Sequence, residues 1–244
     1  MRMFVQNNRM KFYCAAFALL MILSGCSNDE NGSSAVLLRK LVQTSNGEDF
    51  TATYHYDGNR LDYIEIGQDE VIDYTYSGNL ISEISYEDYD GEVYQRTLFY
   101  YENGLLVKNV TTRPFQDFVY EAEYFYNPDS TVDFTTMSTN WDGSFTAGNP
   151  GKYFFDTQGN LVRIEQYGQS GTSVVQYGYD QHLNPFNNIE GMARLMEFNS
   201  GPHNVISIDG TSPRTYEYTY NSAGYPVSAT VESSDGLQSV SYVY

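Results

Sequence analysis

Aromatic and polar positions alternate along most of this chain with a period of two. The segments Ile72-Asp-Tyr74-Thr-Tyr76, Tyr120-Glu-Ala122-Glu-Tyr124-Phe-Tyr126, Val175-Gln-Tyr177-Gly-Tyr179 and Tyr216-Glu-Tyr218-Thr-Tyr220 each place aromatic or small apolar groups on one face and polar groups on the other. A strand with one packed and one wet face has this pattern, and sheets of such strands are usually antiparallel. Between the strands stand Asp57-Gly58, Asp90-Gly91, Asn103-Gly104, Asp142-Gly143 and Asp235-Gly236, residues that tolerate the positive φ of tight hairpins.

One phrase recurs: two aromatics one residue apart, a polar turn, then an aliphatic strand start. It reads Tyr54-His-Tyr56-Asp-Gly-Asn-Arg-Leu61, Tyr74-Thr-Tyr76-Ser-Gly-Asn-Leu80 and Tyr153-Phe-Phe155-Asp-Thr-Gln-Gly-Asn-Leu161. Successive phrases leave room for two strands and their turns, so each unit predicts one hairpin. The rhythm breaks after Tyr177, where Asn184-Pro185-Phe186 precedes the one helix-like stretch, 189–198, and the stop signal Asn199-Ser-Gly-Pro202. The expected fold is all-β: an antiparallel meander of hairpins, curled or barrel-like, with one short helical crossover near 189–198. That crossover would plug one end of the sheet or cover an edge strand. A membrane-spanning barrel fits less well, because a stripe of tyrosine hydroxyls would have to lie in hydrocarbon.

The N-terminus has a different pattern. Arg2, Arg9 and Lys11 precede the apolar run Phe12 to Leu23, the layout of a secretory signal that is too short to span a bilayer as a helix. Leu23-Ser24-Gly25-Cys26 resembles the lipobox of bacterial lipoproteins, which implies cleavage before Cys26 and acylation of its thiol, palmitate included. The expected organisation is therefore a signal peptide at 1–25, a lipid-anchored polar tether at 26–36 and a single β-meander domain at 37–244. Asp29-Glu30 after the cysteine resembles the export signal of surface-exposed lipoproteins. Anchoring at the outer membrane follows as an expectation, with the side it faces left open.

Composition then narrows the chemistry. The chain has 13 basic and 31 acidic residues, a net charge of -18, and three of the basic residues lie in the signal. A field of that sign repels nucleic-acid phosphates, so no nucleic-acid partner is expected. Cys14 and Cys26 are the two cysteines, the first removed with the signal and the second taken by lipid, which leaves no thiol chemistry. His55, His182 and His203 lack metal-binding spacing, no Gly-x-Ser-x-Gly elbow occurs, and no cofactor or metal is expected. Asp88-Tyr-Asp90-Gly-Glu92 lacks the order of a calcium loop and reads as a hairpin turn.

The 24 tyrosines read first as cross-strand scaffold. Side chains outside the repeat positions are the candidates for ligand contact: Trp141, His182, Phe186, Met196 and Phe198.

The Tyr-x-Tyr-Asp units, the lipobox and the order Tyr177-Gly-Tyr179-Asp-Gln-His-Leu-Asn-Pro-Phe186, crossover, Asn204-Val205 together resemble a family of Bacteroides-type lipoproteins with a porin-like β domain. The same units bear a distant likeness to YD repeats of RHS-type shells, matched best by Phe155-Asp-Thr-Gln-Gly-Asn160. The first resemblance implies curled β architecture and carries no catalytic residue or ligand. The leading expectation is a non-enzymatic envelope lipoprotein that binds a glycan or an envelope protein. The alternatives are a structural or assembly component of the envelope, and a glycoside hydrolase using an acidic pair.

Overall fold

In the computed structural model of the protein, residues 35–244 are described, apart from 69, 141, 197–200 and 235. In chain order the strands are β1 Lys40–Ser45, β2 Glu48–Asp57, β3 Arg60–Ile66, β4 Glu70–Ser77, β5 Leu80–Asp88, β6 Val93–Glu102, β7 Leu105–Arg113, β8 Phe118–Tyr126 and β9 Val132–Thr139. They continue as β10 Phe145–Ala147, β11 Gly151–Phe155, β12 Leu161–Gly168, β13 Gly171–Leu183, β14 His203–Asp209, β15 Arg214–Tyr220, β16 Pro226–Ser233 and β17 Gly236–Val243. The pairings are antiparallel and join neighbours in sequence, except β9 with β11 and β1 with β17; because β1 pairs with both β2 and β17, the sheet closes on itself. β10 and β11 lie end to end along β9, which gives a barrel of 16 strand positions.

The recurring phrase has a geometric cause. In five hairpins the register shifts by one residue just before the second aromatic, at His55/Tyr56, Thr75/Tyr76, Tyr100/Tyr101, Phe154/Phe155 and Thr219/Tyr220. Such a bulge lets the exit strand turn two residues inward at a spacing of three instead of two. Leu61 and Ile64, Ile81 and Ile84, Leu106 and Asn109, Leu161 and Ile164, and Pro226 and Ala229 are the resulting pairs, all buried except Ile164, which is half-buried against the core. Aligned in this way, the counterpart of Leu61 is Ile81 and not Leu80. The unit without the shift, Tyr124 to Val132, accordingly has Val132 and Phe134 two apart.

The second tyrosine of the phrase reaches back to the preceding unit, in Tyr126 without a bulge. Tyr56 Oη donates to the Leu38 carbonyl at 2.7 Å, Tyr101 to Ile81 at 2.7 Å, Tyr126 to Leu106 at 3.0 Å, Tyr179 to Leu161 at 2.7 Å and Tyr244 to Pro226 at 2.9 Å. These five units are thus latched to the chain before them. We expect Tyr101→Phe, which keeps the ring and leaves the Ile81 carbonyl without this donor, to cost about 1 kcal/mol in urea unfolding. Phe155 shows that the ring alone can occupy this position in one unit.

The core lies inside the barrel. Leu38, Leu61, Ile81 and Ile84 are fully buried there, with Tyr54, Phe99, Tyr124, Phe134 and Tyr153 around them. The outer wall carries ion pairs, Lys108 with Glu121 at 2.5 Å, Arg96 with Glu83 at 2.8 Å, Lys152 with Asp133 at 3.2 Å and Arg163 with Glu165 at 3.3 Å, with single exposed apolar side chains such as Tyr100, Phe125 and Ile206 among them. A transmembrane barrel has the opposite polarity, apolar outward and polar inward.

Candidate functional site

The expected helical crossover is a chain of turns with one 3₁₀ turn, Met192–Arg194. A longer helix does not form because Gly191 enters it at φ 79° and Leu195 leaves it in extended conformation. With the sheet closed there is no edge strand to cover, and the segment instead caps the barrel at the end where the phrase's turns lie. Its entry is fixed by Asn184, whose backbone NH donates to the Pro202 carbonyl at 2.9 Å and whose Oδ1 accepts from the Phe186 NH at 2.8 Å. Glu190 joins it to the β2–β3 hairpin, its NH donating to the Asn59 carbonyl and its carboxylate accepting from Arg60 Nε at 3.0 Å. Asn188 Nδ2 donates to the Val36 carbonyl at 2.8 Å and to Tyr225 Oη at 2.7 Å, tying the incoming chain to the same end. Gly191 fits because a Cβ there would lie 3.0 Å from the Ile81 backbone nitrogen.

The cap inserts apolar side chains into the barrel. Ile189, Met192 and Leu195 are buried in the main core, and Phe186 packs against it with its ring 6.0 Å from that of Tyr54. Phe186 separates two cavities. The smaller, about 130 Å³, lies against Tyr54, Leu61, Ile64, Tyr74 and Met192. The larger, about 260 Å³, is bounded by Tyr177, Tyr216, Tyr218, Tyr242, Asn184 and Asn204 among others, and no charged side chain lines it.

Burial sets the electrostatics of this larger cavity. It raises the Tyr242 phenol to about 12, with the neighbouring Tyr216 adding to the effect, and it raises Tyr218 and Tyr177 for the same chief reason. All three are neutral hydroxyls at physiological pH. The Tyr216 and Tyr218 rings lie 6.2 Å apart at 8° and Tyr220 continues the row. Flat rings with neutral donors and acceptors suit an uncharged, hydroxyl-bearing ligand better than an ion.

The structure brings Phe186 and Met196 together in the core cluster. His182 is elsewhere: it is exposed, with its ring stacked on Tyr220 at 3.8 Å. Beside it Asp180 accepts from the His182 NH at 2.9 Å within the turn and also from Tyr220 Oη and the Asn204 NH, so it ties β13 to β14 and β15. Cys26, Trp141 and Phe198 lie outside the described residues. The tyrosines of β13, β15 and β17 around the larger cavity are absent from the sequence-based candidates, since their period of two marks scaffold equally well. Asp88 Oδ1 accepts from the Asp90 and Glu92 NH groups at 3.0 Å, the geometry of a turn. Among the described residues no group of three His, Cys, Asp or Glu side chains is placed to hold a metal.

These features define a closed antiparallel barrel with a capped end and an aromatic interior. No family model matches the chain, and no curated protein matches it. Among solved structures it is similar to the crystal structure of a porin-like protein from Bacteroides uniformis, with a TM-score of 0.55 and 13% identity over 84% of this chain and 97% of that one. At that identity the likeness is one of fold.

Proposed function

We propose that the protein is a non-enzymatic, lipid-anchored binding protein of the bacterial outer membrane, whose barrel stands in water at the membrane surface and holds a neutral glycan unit beside Phe186. The observation that carries this reading is the polarity of the barrel, apolar and aromatic within, charged without. A wall bearing Lys108, Glu121, Arg163 and Glu165 is costly to place in hydrocarbon. Attachment then falls to the acyl chains on Cys26, since two or more of them suffice for stable anchoring. On this reading 1–25 is removed, 26–36 is the tether and 37–244 is the binding domain.

The larger cavity supports the ligand class. Its volume is just under the roughly 300–1,000 Å³ usual for small-molecule sites, so it suits a short saccharide or a chain end. The test is a glycan array with residues 27–244 and with Phe186→Ala. Binding of neutral saccharides by the first, weakened at least about tenfold in the second, is the expected result. Uniform absence of binding removes the glycan and leaves the structural reading.

A further inference from the structure

The two ends of the barrel differ. At the capped end the turns are short and polar. At the opposite rim, five hairpins carry a large apolar side chain that is half or more exposed: Phe50 beside β1–β2 at 50%, Tyr89 on β5–β6 at 76%, Phe115 on β7–β8 at 67%, Phe145 on β9–β10 at 55% and Leu237 on β16–β17 at 69%. Phe50 and Tyr89 each border a hollow, where a partner could cover the exposed apolar surface.

The charges at this rim select the partner. Around Phe50 and Tyr89 stand Glu48, Asp49, Glu70, Glu87, Asp90 and Glu92, and the hairpin ends 43–51, 65–71 and 87–95 contain no lysine or arginine. Two hollows open between these groups. One of about 550 Å³ is walled by Glu48, Asp49 and Phe50, and one of about 280 Å³ by Glu70, Glu87 and Tyr89. Glu70 accepts from Tyr94 Oη and Asp49 from Thr44 Oγ1, but among the described residues none of these carboxylates has a cationic partner, and aromatic faces beside such carboxylates attract guanidinium and ammonium groups by both cation–π and ionic contact. The same acidity repels an anionic bilayer and a second copy of this chain.

We propose that this rim is a docking surface for a cationic protein segment, rich in arginine or lysine with interspersed aromatics, seated across the β1–β2, β3–β4 and β5–β6 hairpins with Phe50 and Tyr89 as its apolar anchors. The chain enters the barrel at the capped end, where Asn188 holds Val36, and the rim lies a strand length away, roughly 25–30 Å for eight or nine residues. The docking itself is independent of the glycan reading and of the cavity beside Phe186.

The test uses residues 27–244 and fluorescence anisotropy with a short labelled peptide repeating arginine, serine and tyrosine, and its counterpart with glutamate in place of arginine. Three variants are compared: Phe50→Ser with Tyr89→Ser; Glu48→Gln with Asp90→Asn and Glu92→Gln; and, as a control of equal charge on the wall and capped end, Glu102→Gln with Glu123→Gln and Glu217→Gln. The expected result is binding of the basic peptide alone, weakened at least about tenfold by each rim variant and less than about threefold by the control. All replaced rim side chains are exposed, so an unchanged melting temperature is expected.

Several outcomes overturn the proposal: no binding of the basic peptide, equal binding of the acidic one, or equal losses in rim and control variants. So do binding of phosphatidylglycerol vesicles or neutral glycans that the rim variants abolish, and a dimer in sedimentation that they dissolve. Loss of glycan binding in Phe186→Ala with intact peptide binding would leave the rim proposal standing.

Discussion

The protein is expected to unfold cooperatively as pH rises from 10 to about 11.5. Tyr54, Tyr74 and Tyr242 sit inside the barrel, and burial, followed by neighbouring phenols, holds their ionisation above the ordinary value. In the unfolded chain the same phenols titrate near 10. The folded state therefore requires the protonated forms. Their contribution is fully present below pH 10 and is lost as pH rises toward the folded values. At pH 11 each phenol that ionises only on unfolding shifts the balance by about 1.4 kcal/mol, so these three remove roughly 4 kcal/mol from a total of about 5–15 kcal/mol. Absorbance at the tyrosinate band and far-UV circular dichroism should change together in one step. Gradual ionisation centred on pH 10 with an intact spectrum would show that the tyrosines face water and not one another.

Gly151→Ala is the second severe change, with an expected loss of about 3 kcal/mol or more in urea unfolding. Gly151 opposes Phe134 on β9 and Gln166 on β12. A Cβ there would lie 2.2 Å from Phe134 Cζ and 2.4 Å from the Glu165 carbonyl oxygen. The ring is not free to retreat, because Phe134 stacks on Tyr153 at 4.6 Å, and the carbonyl belongs to the sheet ladder. Accommodating one methyl group means parting β11 from β12 or breaking the stack. A loss below about 0.5 kcal/mol would mean that β9, β11 and β12 pack less tightly than described here.

Much of this architecture is legible in the residues. The alternation in β4, β8, β13 and β15 and the Asp-Gly and Asn-Gly turns lead directly to successive antiparallel hairpins. The capping segment is marked by the failure of the phrase after Tyr177. Closure is not legible, because the pairing of Lys40–Ser45 with Gln238–Val243 joins chain ends that no local signal connects. The latch is a middle case. Leu61 with Ile64 and Ile81 with Ile84 already stand three apart in the sequence, and that spacing on strands implies a bulge. Alignment on Leu80 instead of Ile81 hides it.

The site divides along the same line. Phe186 and Met196 stand out because they interrupt the repeat, and the fold sets them in the core. The tyrosines facing Phe186 across the larger cavity look like every other tyrosine in the chain. Only the curvature of the closed sheet distinguishes Tyr218 beside the larger cavity from Tyr124 packed in the core. His182 illustrates the converse: it interrupts the pattern too, yet its exposed ring stacks on Tyr220 and lines neither cavity.

The central claim is that the barrel is built for water, with its apolar face inward. The most direct measurement is sedimentation and circular dichroism of residues 27–244 refolded without detergent. A β-rich, monodisperse species with cooperative unfolding, unchanged when micelles are added, is the predicted result. Aggregation in buffer and recovery of the fold only in detergent or lipid would contradict it.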